Sequence, residues 1–167
     1  MIANADALLK PLTIKGLTIR NRVMSTSHAP GYGKDGKPQE RYQLYHEEKA
    51  KGGIGLTMFG GSSSVAIDSP ATPWAQVSVA DDGVIPFFQE FSDRIHRHGA
   101  KLMIQLTHMG RRTKSDTDNW MPTIAPSIRR EPASRSVPKE MEQEDIDRVV
   151  HALSLIHISE PTRPERI

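Results

Sequence analysis

Lys101-Leu-Met-Ile-Gln-Leu-Thr-His-Met-Gly-Arg111 reads as a short strand followed by a polar exit. Leu102, Met103, Ile104 and Leu106 form an apolar run with one amide, Gln105, set inside it. So continuous a run argues for a strand covered on both faces, as in a parallel sheet. Gln105 then stands out, because a buried primary amide brings two donors and two acceptor lone pairs that cost about 1–3 kcal/mol if left unpaired. Two readings follow from the strand alone. Gln105 is a core glutamine satisfied by neighbouring protein groups, or it meets the edge of a heterocycle with alternating donors and acceptors, such as a flavin's pyrimidine side.

The segments on either side carry matching punctuation. Residues 8–20 alternate apolar and polar about Lys15-Gly16 and predict a small hairpin. The stretch Asn21-Arg-Val-Met24 would open a first strand, with Thr26-Ser-His-Ala29 at its exit. Residues 38–51 predict a helix that starts at a proline and is closed by Gly52-Gly53. A strand over 54–59 ends in Gly60-Gly61, where the lack of a Cβ admits a close approach, and a polar loop of about twenty residues follows. Residues 84–98 predict a helix with Ile85, Phe88, Phe91 and Ile95 on one face and Gly99 as its stop. His96 and His98 stand two apart, point to opposite sides and do not share a metal. No metal site is expected.

Read together, Gln105-Leu-x-His-x-Gly-Arg111 resembles the third-strand motif of the Old Yellow Enzyme and 2,4-dienoyl-CoA reductase family of FMN oxidoreductases. Leu17-Thr-Ile-Arg-Asn-Arg-Val23, Lys49-Ala-Lys-Gly-Gly-Ile-Gly-Leu56 with Gly60-Gly61, and Ala125-Pro-Ser127 resemble other segments of that family, in the same order. The branch that looks most similar contains trimethylamine dehydrogenase and the bacterial demethylases of dimethylglycine and N-methylproline. Ser25-Thr-Ser-His-Ala29, Glu40-Arg-Tyr42, Gly60-Gly-Ser-Ser63, Ile67-Asp-Ser-Pro70 and Thr107-His-Met-Gly-Arg-Arg112 carry that likeness.

The resemblance implies an α/β fold: the first three β/α units of a (β/α)8 TIM barrel behind a short N-terminal hairpin, over residues 1–152. With 167 residues, the chain is shorter than the roughly 200–250 that a complete barrel needs. By resemblance Thr26, Ser27 and His28 line a flavin, Gly60 and Gly61 let its ring pack closely, and Gln105 reads its pyrimidine edge. Trimethylamine dehydrogenase attaches its flavin through a cysteine after the histidine; this chain has Ala29 there and no cysteine at all, so the FMN would be held non-covalently. An iron–sulfur cluster and a second dinucleotide would belong to a longer parent only. No catalytic residue is assigned within this stretch, because the family draws its proton-transfer groups from later strands.

The implied reaction is hydride transfer from a small-molecule substrate, an N-methylated amino acid, to FMN. The alternative is NAD(P)H-dependent ene-reduction; the electron partner is NAD(P)H or an electron-transfer protein. Two non-enzymatic readings stand beside these. The first is a truncated product, inactive, poorly soluble and colourless on purification. The second is an anion-binding module on residues 111–139, where seven arginines and lysines face three acidic residues.

Composition bounds the rest. The formal charge of +2, from 22 basic and 20 acidic residues, argues against nucleic acid as a partner. The absence of cysteine excludes disulfides and thiolate metal sites in this stretch. No apolar run approaches the roughly 18 residues of a membrane span, so a cytoplasmic protein without a membrane partner is expected. Gly31-Tyr-Gly-Lys-Asp-Gly36 matches a dinucleotide fingerprint in letters, but Gly36-Lys-Pro38 is a turn where that motif needs a helix. A third helix is predicted from Gln143 to about Leu153. Residues 153–167 resemble the conceptual translation of a sequencing adapter and are set aside as a non-native tail.

Overall fold

The computed structural model describes residues 5–69, 76–112 and 122–155. It opens with a single helical turn, α1 (Ala5–Leu9), and the expected hairpin of β1 (Leu12–Ile14) and β2 (Leu17–Ile19). Lys15 and Gly16 both take positive φ, +45° and +86°, the two-residue turn whose twist suits flanking antiparallel strands. Opposed hydroxyls of Thr13 and Thr18 at 3.0 Å add a cross-strand pair.

Three parallel strands form the centre: β3 (Met24–Ser25), β4 (Leu56–Ser64) and β5 (Lys101–Thr107), in that order. The crossover from β3 to β4 carries α2 (Glu40–Lys51). The one from β4 to β5 carries a 3-10 turn (Asp82–Val84) and α3 (Ile85–His96). Tyr42 and Ala50 of α2 and Phe91 and Ile95 of α3 share one buried cluster with Phe59, and Leu102, Ile104 and Leu106 of β5 pack on it. Phe59 and Phe91 meet at 4.9 Å between ring centroids, within the favourable aromatic range.

Both helices therefore cover the same face. This corrects the expectation that β5 is covered on two sides. Met103 is 44% exposed and Gln105 is exposed as well, because no described element covers the face to which they alternate. The strand over 54–59 is also longer than read, running from Leu56 to Ser64 through a register shift between Phe59 and Ser63. β3 is shorter, two residues only.

The stripe that α2 buries is unusually polar: Gln43, His46 and Glu47 beside Tyr42 and Ala50. Each polar member has a tether. Gln43 donates to the carbonyl of Pro38 at 3.0 Å. Glu47 accepts from Arg94 at 3.4 Å and pairs with His98 at 3.0 Å, tying α2 to the end of α3. His96 instead pairs with Ser92 within its own helix. Arg20 holds the segments that follow α2 and α3 together by donating to the carbonyls of Ala50, Ile54 and His98. Asn21 donates to the carbonyl of Gly53 at 2.7 Å, so the Arg-Asn pair that carried part of the family likeness is a clamp.

After a 3-10 turn at Gly110–Arg112, residues 122–142 are less irregular than expected. β6 (Ile124–Ala125) and β7 (Lys139–Glu140) pair in parallel, and α4 (Gln143–Leu155) follows. The tail set aside from residue 153 lies outside the described residues from 156 onward. At 31–36, Asp35 and Gly36 take positive φ between the bridged Lys34 and Lys37: a tight turn, not a phosphate loop. Among the described residues no helix is long and apolar enough to cross a membrane.

Candidate functional site

Midway along β4, where its pairing with β5 shifts register, the chain bulges, with Gly60 at φ +104° and Gly61 at φ +69°. A Cβ on Gly60 would stand 2.9 Å from the carbonyl oxygen of Gln105, and one on Gly61 would stand 2.8 Å from the amide nitrogen of Ala29. Real Cβ atoms do not approach backbone so closely, and side chains are disfavoured at these φ values. The two glycines therefore let the exits of β3 and β5 close on that of β4. The sequence expectation gives them a further task, admitting a flat ring; what a Cβ would meet at either position includes neighbouring backbone.

The bulge is pinned from below. Tyr42, 1% exposed, accepts a hydrogen bond from the Gly60 amide at 3.1 Å. Burial pushes its hydroxyl up to about 12, against the opposing effect of that hydrogen bond, so Tyr42 keeps its proton. Tyr42→Phe preserves the packing and leaves a buried amide unpaired, which is expected to cost about 1–2 kcal/mol in urea unfolding. An unchanged midpoint would show that the bulge does not need this bond.

Of the expected site residues, the structure joins Ser27 and Gln105. The Ser27 hydroxyl donates to Oε1 of Gln105 at 2.6 Å, across 78 residues of sequence. That bond engages the acceptor end of the amide and leaves its two N–H donors on the uncovered side of the sheet. Gln105 is therefore exposed, and its N–H donors meet no acceptor among the described residues. Thr26 is exposed beside it. His28 is exposed too, and its ring lies 6.0 Å from that of Tyr45, which meets Tyr32 edge-on at 5.9 Å. Arg41 stands 4.0 Å over the Tyr32 ring and Lys49 4.3 Å over that of Tyr45. No sequence motif signals that Tyr45 supports His28.

His46 was passed over as well. It is fully buried behind β4, with Nδ1 2.8 Å from the Thr57 hydroxyl, which is 3.1 Å from that of Ser25. Burial, then the charges of Lys49 and His28, lower its pKa to about 3, so the imidazole is neutral across the physiological range. Its Nε2 has no partner among the described residues.

A second polar cluster locks the exit of β5. Asp68, 4% exposed, accepts two hydrogen bonds from Arg148 of α4, at 2.6 and 3.2 Å, and faces Nε2 of His108 at 3.3 Å. Nδ1 of His108 accepts the Gly110 amide at 3.1 Å, which places the ring proton on Nε2, toward Asp68. Burial pushes the Asp68 carboxyl up, but Arg148 and His108 together outweigh it and hold it below the usual range. Ser69 accepts the Met109 amide at 2.7 Å, and the Val65 amide donates to the carbonyl of Thr107. Both motifs behind this latch, Ile67-Asp-Ser and Thr107-His-Met, were legible; their contact with Arg148 was not. No group of three potential metal ligands occurs among the described residues.

A parallel β/α sheet whose strand exits meet at a glycine bulge, with exposed polar side chains at their C-terminal ends, defines an α/β ligand-binding enzyme domain. This chain belongs to the NADH:flavin oxidoreductase / NADH oxidase family, whose profile matches residues 7–154. It is 54% identical over 153 residues to the multifunctional alkene reductase/demethylase OYE of Caballeronia cordobensis, covering 92% of this chain and 23% of that protein. It is 53% identical over 146 residues to the N,N-dimethylglycine/sarcosine dehydrogenase of Chromohalobacter salexigens, covering 87% and 21%. The fold matches histamine dehydrogenase from Rhizobium sp. 4-9 with a TM-score of 0.77 at 24% identity, over 92% of this chain and 24% of that one. The chain thus spans under a quarter of the length of these relatives.

Proposed function

We propose that this chain is the first three β/α units of a (β/α)8 barrel, and that Thr26, Ser27, His28, Gly60, Gly61 and Gln105 form one side of a non-covalent FMN site. The observation that carries this is the pairing of Ser27 with Gln105. It fixes the amide by its carbonyl, and the two N–H donors of this exposed side chain meet no acceptor among the described residues. Such donors suit a ring edge rich in carbonyl acceptors, and the exposed ring of His28 adds a flat surface beside them. The glycine bulge sets this geometry by drawing Gln105 and Ala29 toward β4.

FMN, when bound, supplies the hydride-accepting chemistry. The residues of this chain orient the ring and hold its polar edge; none of them is placed to move a proton. The substrate class we favour is an N-methylated amino acid oxidised at its methyl group, supported by the names of the two relatives. The Caballeronia relative also carries an alkene reductase in its name, which keeps ene-reduction as the second reading.

The test uses a protein carrying this segment at the length of its relatives. Gln105→Leu is expected to weaken FMN binding about 5- to 30-fold, the loss of one or two hydrogen bonds. Unchanged affinity would remove Gln105 from the site. Formaldehyde release from dimethylglycine supports the demethylase reading, whereas turnover confined to an enone supports the reductase.

A further inference from the structure

A cleft of about 490 Å³ opens between the exit of β5, β6 and α4, away from the glycine bulge. Its lining includes the apolar side chains of Ile124, Met141 and Val149 together with Arg111, Ser127 and Arg129. Arg111 donates through Nη1 to the carbonyl of Arg129 at 3.0 Å, which sets both arginines on one rim. That bond uses one of the five N–H groups of Arg111, and among the described residues no acceptor meets the other four. His108 also lines the cleft, yet its two ring nitrogens are committed to Asp68 and to the Gly110 amide. Among the described residues no carboxylate lines the cleft, and Asp68 is directed to Arg148 and His108.

Arg111 and Arg129 bring two guanidinium groups to the cleft, and these stay charged through neutral pH. A planar guanidinium fork matches a carboxylate better than a compact cation does. The volume lies within the range of small-molecule sites, about 300–1,000 Å³, and the apolar lining calls for a hydrocarbon body. We propose that this cleft binds a small aliphatic monocarboxylate, with its head on Arg111 and Arg129 and its chain against Ile124, Met141 and Val149. The proposal goes beyond the flavin reading and uses none of its residues.

The experiment titrates the purified 167-residue chain with isovalerate, acetate and inorganic phosphate, followed by calorimetry. Saturable binding in the order isovalerate, acetate, phosphate is expected, and Arg129→Gln should weaken isovalerate at least tenfold. Arg129 is exposed, so this variant keeps the fold, with far-UV circular dichroism as the check. Arg129→Lys should recover only part of the loss, because it restores charge without the fork. Val149→Phe, which fills space beside the apolar lining, should abolish the preference for isovalerate over acetate. Phosphate binding as tightly as isovalerate would reduce the cleft to a nonspecific cationic patch and overturn the proposal. An unaltered affinity in Arg129→Gln, or no saturable binding of isovalerate, would do the same.

Discussion

Arg148→Ala is expected to destabilise the fold by about 3 kcal/mol at neutral pH, as measured by urea unfolding. Breaking a buried ion pair costs about 3–5 kcal/mol because the surviving charge stays desolvated. The Arg148 side chain is 42% exposed while that of Asp68 is 3% exposed, so the lower end of that range applies. The sign with pH is distinctive. In the parent, Asp68 sits below its ordinary value of 3.8, so its contribution is complete above that pH and fades only as acid falls through the lowered value. In the variant, burial acts with only His108 to oppose it and the carboxyl pKa rises, so lowering the pH now favours the folded form. The gap between parent and variant should be widest near pH 7 and narrow toward pH 4.5. Asp68→Asn added to Arg148→Ala should recover part of the loss. A pH-independent gap would show that Arg148 acts through packing of α4 alone.

The second large effect is acid sensitivity carried by His46. Its pKa falls from 6.5 unfolded to about 3 folded, so below pH 6.5 the unfolded chain binds the proton that the folded one refuses. Stability is complete above pH 6.5 and falls by roughly 1.4 kcal/mol per pH unit below it. About 3 kcal/mol should be lost between pH 6.5 and pH 4 from this one ring. His46→Phe keeps an aromatic ring against Tyr42 and Phe91 and removes the titrating group. It should lie close to the parent near pH 7, where a lost bond to Thr57 offsets the removal of an unpaired Nε2. It should exceed the parent at pH 4.5. Equal slopes in the two proteins would place the acid sensitivity elsewhere.

Much of the fold was legible because local chemistry and tertiary packing agree. The hairpin at Lys15-Gly16, the amphipathic stripe of α3 and its stop at Gly99, and β5 were all readable. Each rests on a periodicity or a backbone angle that a short window of sequence expresses. Membership of the family was legible for another reason: the motif at 105–111 and the segments that match in order around it are specific to that family, whose profile covers residues 7–154. Composition also limited the chemistry, since a chain without cysteine has no thiolate for flavin or metal.

What the sequence by itself determined is the alternation of strand and helix, the turns, and which short segments carry polar residues at strand exits. Tertiary structure alone decided how those exits meet. It joined Ser27 to Gln105 across 78 residues, set Gly60 and Gly61 against backbone, and locked Asp68 to Arg148 across 80. It also reversed the burial of Gln105. An apolar run reports that a strand can be covered, but whether each face is covered depends on which elements pack there, and in this chain both helices lie on one side.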